Sequence, residues 1–212
     1  MNITKIEKYV KNKLESDKTG HDYQHIKRVV NNCKKIYKNM SLSEEDKNII
    51  ISAALVHDLI DYKLVENIEK EKSKLIEVLE ESDYRENQID EIIYIIENMS
   101  FSANIDGKKE LSLLGQIVQD ADRLDAIGAI GIARTFYYGG SKGNHMYDDL
   151  NKDQVRDLNK EEYLKGSTVI DHFYEKLLKI KDLMNTKEGL KIAEERHSFM
   201  QEYLDNFYNE VE

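Results

Sequence analysis

Apolar residues recur at helical spacing in nearly every segment of the chain, and no strand-like alternation of useful length occurs. The segments with this period have the approximate ranges Thr4–Ser16, Asp22–Asn39, Ser43–Ile60, Asn67–Ser82, Glu86–Met99, Glu110–Tyr138, Lys160–Met184 and Thr186–Val211. The pattern predicts an all-α fold, which we interpret as a single helical domain that spans residues 1–212.

The composition and the helix-end signals agree with this interpretation. Proline is absent and only ten glycines occur, which favours helices joined by short polar turns. Ser43-x-x-Asp46 resembles a capping box, and the helix that it starts is apolar nearly all round, as a buried helix is. Gly128 and Gly131 are points where the long run Glu110–Tyr138 can bend or split.

The chain is acidic, with a formal net charge of −10, and it has one cysteine, Cys33. An acidic surface disfavours binding to a nucleic acid polymer, although a metal and a few cations can reverse the charge of one cleft. A single cysteine forms no internal disulfide. No stretch approaches the roughly 18 apolar residues that a membrane span requires. We therefore expect a cytoplasmic protein that binds neither a membrane nor a nucleic acid polymer.

His57 and Asp58 directly follow a long apolar run, where an ionised carboxylate is costly unless it is paired. Asp61 comes three residues after Asp58, so the three side chains share one side if the helix continues. Carboxylates so close repel each other unless a cation lies near them, and a metal ion supplies that cation. The alternative for the first pair is a helix end at which His57 and Asp58 are hydrogen-bonded to each other.

His21, His25 and Arg28 form a stripe that borders the apolar face of the second predicted helix. The stripe can present a metal ligand beside a guanidinium, whose planar fork suits phosphate. The alternative for each histidine is a structural hydrogen bond.

Asp122 lies in line with Ala126, Ala129 and Ala133 if one helix continues through all four positions. Small residues allow another helix to approach closely, so a carboxylate on that line could reach a site on a neighbouring helix. Asp120 lies on a different side and is expected to be exposed.

The order of these residues, with their local contexts, resembles the signature of the HD-domain phosphohydrolase superfamily and of its small stand-alone bacterial members. The matching segments are GHDYQHIKRV, AALVHDLIDYK, QDADRLDAIGAIGIAR, GGSKGNHMY and TKEGLKIAEERHSFMQEYLDNF. Together they extend from about Gly20 to Phe207, nearly the whole chain.

The resemblance implies an all-helical fold whose central helices enclose one divalent cation. By position, His25, His57, Asp58 and Asp122 become its four ligands, and positions for water and substrate remain. These nitrogen and oxygen ligands suit Mn²⁺, Fe²⁺, Co²⁺, Ni²⁺ or Zn²⁺, with Mg²⁺ a further option, and the family favours manganese.

The resemblance also implies hydrolysis at phosphorus and suggests roles for neighbouring residues. Asp61 is the candidate for orienting the attacking water or relaying its proton, although some relatives have glutamate at the comparable position. Arg28, Lys63, His21 and Arg123 are candidates for contacts with the substrate, and an ordinary solvated cation is the alternative for Lys63 and Arg123.

The range Tyr137–Tyr147, which includes His145, is predicted to be a Gly-rich loop that either covers the substrate or only connects helices. For the activity we expect hydrolysis of a nucleoside or deoxynucleoside triphosphate with release of pyrophosphate. The enzymatic alternatives are removal of phosphate from a nucleoside monophosphate and hydrolysis of a guanosine polyphosphate alarmone. The alternative from another class is a metal-bound module that senses a nucleotide without hydrolysing it.

Overall fold

The structure, a computed structural model, describes residues 1–14, 22–60, 67–100, 109–148 and 168–211. Within these ranges the chain forms helices and no strand, and the all-α prediction is confirmed. The helices are α1 (Ile3–Leu14), α2 (Tyr23–Tyr37), α3 (Glu44–Val56), α4 (Ile68–Glu80), α5 (Glu86–Asn98), α6 (Leu113–Asp125), α7 (Gly128–Lys142), α8 (Val169–Glu175) and α9 (Lys187–Val211), with a 3₁₀ segment (Leu177–Leu183) between α8 and α9.

The contacts divide the chain into two compact units, Met1–Asp122 and Arg123–Glu212. The prediction of a single domain over residues 1–212 therefore stays a prediction, and each unit is described by itself. In the described part of the chain, no helix is both long and apolar enough to cross a membrane.

The first unit is built around α3, which packs against α1, α2 and α5. Every residue from Ile49 to Val56 is buried, which explains why this helix is apolar on all sides. The predicted capping box is confirmed, since the Ser43 hydroxyl accepts from the Asp46 backbone N–H at 3.0 Å and the Asp46 carboxylate accepts from the Ser43 N–H. The sequence therefore fixes the start of the central helix by local hydrogen bonds.

In the second unit, α7 packs against α8 and α9, and the 3₁₀ segment packs against the same two helices. Aromatic rings fill the contact between these elements. The centroid of the Phe136 ring lies 6.2 Å from that of Phe173, 6.1 Å from that of Tyr203 and 6.5 Å from that of Phe207. These separations are within the range of favourable aromatic pairs.

The predicted helical run Glu110–Tyr138 is split. α6 ends at Asp125, and α7 begins at Gly128, whose φ is 77°, in the left-handed region that favours glycine. A Cβ at this position would also lie 2.9 Å from Arg196 Cγ. Both the backbone and the available space therefore favour glycine at the break.

The prediction of a Gly-rich loop over Tyr137–Tyr147 is wrong for its first half, because α7 continues to Lys142. Gly139 is buried inside this helix, and a Cβ there would lie only 2.4 Å from Val169 Cγ2. The glycine allows α8 to approach α7 closely instead of forming a turn.

The prediction of one helix over Lys160–Met184 is wrong in its described part. The chain leaves the α-helical conformation at Lys176, where φ is −136°, and continues as the 3₁₀ segment. The last predicted helix, Thr186–Val211, is confirmed as α9.

Candidate metal centre

His25 belongs to the first turn of α2 and has 2% of its surface exposed. Asp22 caps this helix, and its carboxylate accepts a hydrogen bond from the His25 backbone N–H at 2.9 Å. The cap fixes where α2 begins, and the imidazole lies inside the first unit.

His57 and Asp58 come directly after α3, which ends at Val56 rather than continuing to Ile60. His57 is 8% exposed and Asp58 is 6% exposed. His57 Nδ1 lies 2.9 Å from the carbonyl oxygen of Ala54. Because a carbonyl only accepts, Nδ1 carries the hydrogen, and the Nε2 of a neutral ring keeps its lone pair.

Asp122 is supplied by α6, and 34% of its side chain is exposed, the largest fraction among the four predicted ligands. The predicted alanine line through Ala126, Ala129 and Ala133 is wrong, because α6 ends before Ala126 and the other two alanines are exposed on α7. The fully buried small residue beside Asp122 is Ala121.

The nitrogen and oxygen atoms of these four side chains converge. The Nε2 atoms of His25 and His57 are 3.2 Å apart. The two carboxylate oxygens of Asp58 lie 3.4 Å from His25 Nε2 and 3.3 Å from His57 Nε2. Asp122 Oδ1 lies 3.5 Å from His25 Nε2 and 3.6 Å from His57 Nε2. One atom each of His25, His57 and Asp58 fit within 4.8 Å of one another, as the ligands of one ion do.

The electrostatics of this group favour a cation. Burial alone would lower the pKa of His57, but the negative charges of Asp58 and Asp122 outweigh burial and raise it to about 10. For Asp122, burial acts to raise the pKa, and the hydrogen bond and charge of His57 reverse that effect and lower it. Two imidazole nitrogens and two carboxylates are also a donor set that binds divalent metals, so the residues fit the metal that the resemblance implies.

The structure describes only some of the other predicted site residues. Arg28 is half-buried on α2, one turn after His25. His21, Asp61 and Lys63 lie outside the residues that the structure describes, so their roles stay predictions. His145 is strongly exposed.

The structure corrects the expectations for two residues close to Asp122 in the sequence, Asp120 and Arg123. Asp120 was expected to be exposed and is fully buried, because residues 117–121 are buried on every side of α6. Arg123 is only 7% exposed, and its guanidinium donates to the backbone carbonyl of Leu183. The alternative of an ordinary solvated cation is therefore wrong for Arg123, and its contact with the substrate stays a prediction.

Two buried amides beside these residues were not predicted from the sequence. Asn32 Nδ2 donates to the Ala121 carbonyl oxygen at 3.0 Å, and Gln119 Nε2 donates to the Met99 carbonyl oxygen at 2.9 Å. Asn32 comes seven residues after His25, and seven residues return to the same helix face. A polar residue at that spacing, among apolar neighbours, is the feature of the sequence that could have identified Asn32.

Comparison with known proteins agrees with this geometry. A family model described as HD domain matches residues 22–127, which include all four converging residues. The uncharacterized protein YpgQ of Bacillus subtilis is 37% identical over 207 residues, covering 97% of this chain and 92% of YpgQ.

Solved structures are also similar to this chain over nearly its whole length. The crystal structure of B. subtilis YpgQ in complex with ADP has a TM-score of 0.76 at 37% identity, covering 98% of this chain and 93% of that chain. An HD-superfamily hydrolase from Bacillus thuringiensis has a TM-score of 0.75 at 39% identity, with 99% and 96% covered. A protein from Lactobacillus plantarum has a TM-score of 0.83 at 39% identity, also with 99% and 96% covered.

Proposed function

The chain belongs to the HD domain family, as the motifs of its sequence indicated, and from that premise we propose that it is a metal-dependent phosphohydrolase of nucleotides. The observation that carries the proposal is the convergence of His25, His57, Asp58 and Asp122 on one point of the first unit. The similarity to an HD-superfamily hydrolase of B. thuringiensis supports hydrolysis as the reaction class.

The four converging side chains hold the ion in this proposal, and manganese is the favoured metal. A divalent cation at such a site lowers the pKa of water, polarises a phosphoryl oxygen and offsets the charge that develops in the transition state. The hydrogen bond from His57 Nδ1 to the Ala54 carbonyl keeps Nε2 directed at the site. Asp122 is the most exposed of the four, so water and substrate approach from its side.

The proposed substrate is a nucleoside or deoxynucleoside triphosphate. Water attacks the α-phosphorus, the bond from that phosphorus to the bridging oxygen breaks, and a nucleoside monophosphate and pyrophosphate leave. The complex of the relative YpgQ with ADP supports a nucleotide ligand. The preference for pyrophosphate release rests on the resemblance to small stand-alone members of the superfamily.

Residues around the ligands complete the proposal. Asp61 orients the attacking water or accepts its proton, and Arg28, Lys63 and His21 contact the substrate. Arg28 is on the same helix as His25, one turn further along, which supports its place beside the phosphates.

A nucleotide panel tests the proposal. Protein purified without a histidine tag is stripped with a chelator, reloaded with Mn²⁺, Fe²⁺, Co²⁺, Ni²⁺, Zn²⁺ or Mg²⁺, and assayed separately for pyrophosphate and orthophosphate. The panel includes nucleoside triphosphates, nucleoside monophosphates and guanosine polyphosphates. In ¹⁸O-labelled water, attack at the α-phosphorus places the label in the monophosphate and none in pyrophosphate. Orthophosphate as the primary product from a monophosphate would instead assign a phosphatase.

A nucleotide sensor is the second candidate, because the ADP complex of YpgQ is an observation of binding and not of turnover. Binding and turnover are therefore measured on the same preparation. Tight nucleotide binding without product, with every metal tested, would favour the sensor over the enzyme.

A further inference from the structure

Asn32 is a buried polar residue on the face of α2 that carries His25. It is 3% exposed, and its neighbours on the same face, Val29 and Ile36, are apolar and fully buried. Its amide nitrogen donates to the backbone carbonyl oxygen of Ala121 at 3.0 Å. The bond therefore joins α2 to α6 inside the first unit.

The position of the acceptor relates this bond to the metal centre. The carbonyl carbon of Ala121 is covalently bonded to the backbone nitrogen of Asp122, so Asn32 holds the peptide from which Asp122 begins. The same two helices meet again where Asp122 Oδ1 lies 3.5 Å from His25 Nε2. α2 and α6 are therefore connected twice, by the hydrogen bond from Asn32 to the Ala121 carbonyl and by the approach of Asp122 to His25.

A second buried amide holds α6 from another helix. Gln119 Nε2 donates to the carbonyl oxygen of Met99, the residue that caps the end of α5. Because α5 packs against α3, this bond connects α6, through α5, to the helix that precedes His57 and Asp58. Buried amide hydrogen bonds thus connect α6 both to α2 and to the end of α5.

We propose that Asn32 is a positioning residue of the metal centre: its bond to the Ala121 carbonyl sets the distance between the Asp122 carboxylate and His25. This inference rests on the metal site of the proposed function. A metal tolerates errors of only about 0.2 Å in its ligand distances, so a small rotation of α6 weakens the site. Apolar packing alone is non-directional and does not fix that rotation as a hydrogen bond does.

The test compares Asn32→Leu with a matched variant. Leucine keeps the number and branching of the side-chain heavy atoms, is larger in volume, and removes the amide donor. Tyr84→Phe is the control: the Tyr84 hydroxyl makes a buried 2.6 Å hydrogen bond to Ser52 Oγ and donates to the Asn48 carbonyl oxygen at 3.3 Å, and neither residue is a candidate ligand. Mn²⁺ affinity is measured by the electron paramagnetic resonance signal of the free ion, and melting temperature is measured in parallel without metal.

We expect Asn32→Leu to raise the Kd for Mn²⁺ at least about tenfold, as outer-shell substitutions do. Tyr84→Phe should keep the Kd within about twofold of the wild type, the usual scatter for independent sites. Where leucine prevents folding, Asn32→Ala, which cannot overcrowd the position, gives the same comparison. Equal melting losses in both variants with unchanged Mn²⁺ affinity would make Asn32 purely structural and overturn the inference.

The wild type and a ligand variant separate this inference from the proposed function. A wild-type protein that binds none of the divalent metals would contradict the metal site itself. Binding by the wild type that is lost in Asp58→Asn and kept in Asn32→Leu would leave the metal site in place and reject only the positioning role.

Discussion

Replacing Asp58 with asparagine removes one negative charge from the candidate metal centre and leaves the shape of the side chain almost unchanged. Asp58 is 6% exposed, and its two carboxylate oxygens lie 3.3 Å from His57 Nε2 and 3.4 Å from His25 Nε2. At an effective dielectric constant of about 20, a unit charge pair at the 3.3 Å separation is worth about 5 kcal/mol. The charge of Asp58 therefore contributes strongly to the binding free energy of any cation held there.

A divalent ion carries twice the charge of an imidazolium, so its attraction to Asp58 is larger still. Desolvation of the ion and of the carboxylate offsets much of that attraction. We expect Asp58→Asn to cost at least about 2.8 kcal/mol of binding free energy, which is a rise of about 100-fold in the Kd for Mn²⁺. Turnover should be lost together with the metal.

Calorimetric titration of chelator-stripped protein with Mn²⁺ measures this loss, and circular dichroism checks that the variant is folded. Asp90→Asn is the matched control, because Asp90 is an exposed residue of α5 and the substitution removes the same charge. The control should bind Mn²⁺ within about twofold of the wild type. Wild-type affinity in folded Asp58→Asn would refute the assignment of Asp58 as a ligand.

Three further predictions address the surroundings of the centre. Asp61→Asn should keep one metal bound per chain and lower kcat; normal single-turnover rates would remove its proposed role in handling water. Arg28→Ala should raise KM at least about tenfold with a smaller change in kcat, and an unchanged KM would exclude a substrate contact. At pH 8, Mn²⁺ binding should release about one proton per ion, because the pKa of His57 is raised to about 10 and metal must displace that proton. A pH-indicator titration measures the release, and none at pH 8 would contradict a raised pKa for His57 in the metal-free protein.

The central helix shows what the sequence could predict. The capping box of Ser43 and Asp46 is a local arrangement, and the apolar run after it can only be buried, so both the start and the environment of α3 follow from the pattern. The end of α3 at Val56 does not follow, because an apolar run marks burial and not the residue where helical hydrogen bonding stops. The argument that His57, Asp58 and Asp61 share a continuing helix fails for this reason.

The residues around Asp122 show what the sequence could not predict. Whether Asp120 is exposed depends on how many helices surround α6, and the local pattern does not contain that number. One partner of Asn32 is a backbone carbonyl 89 residues away, and every residue has such an acceptor. The family motif identified the four converging side chains because it records their order, whereas the amides that hold the helices together carry no motif.

The raised pKa of His57 explains how the carboxylates of buried Asp58 and partly exposed Asp122 can lie close together before a cation arrives. A proton on His57 partly neutralises them, and its pKa in the fold, about 10, lies above the ordinary value of 6.5. The stability that this proton contributes is fully present below pH 6.5 and is lost as the pH rises through about 10. A divalent ion brings more positive charge to the same atoms. Metal should therefore stabilise the fold most at high pH, where His57 has lost its proton. One proton on His57 balances only one of the charges of Asp58 and Asp122, whereas a divalent ion would balance both, so replacement of the proton by the ion is electrostatically favourable.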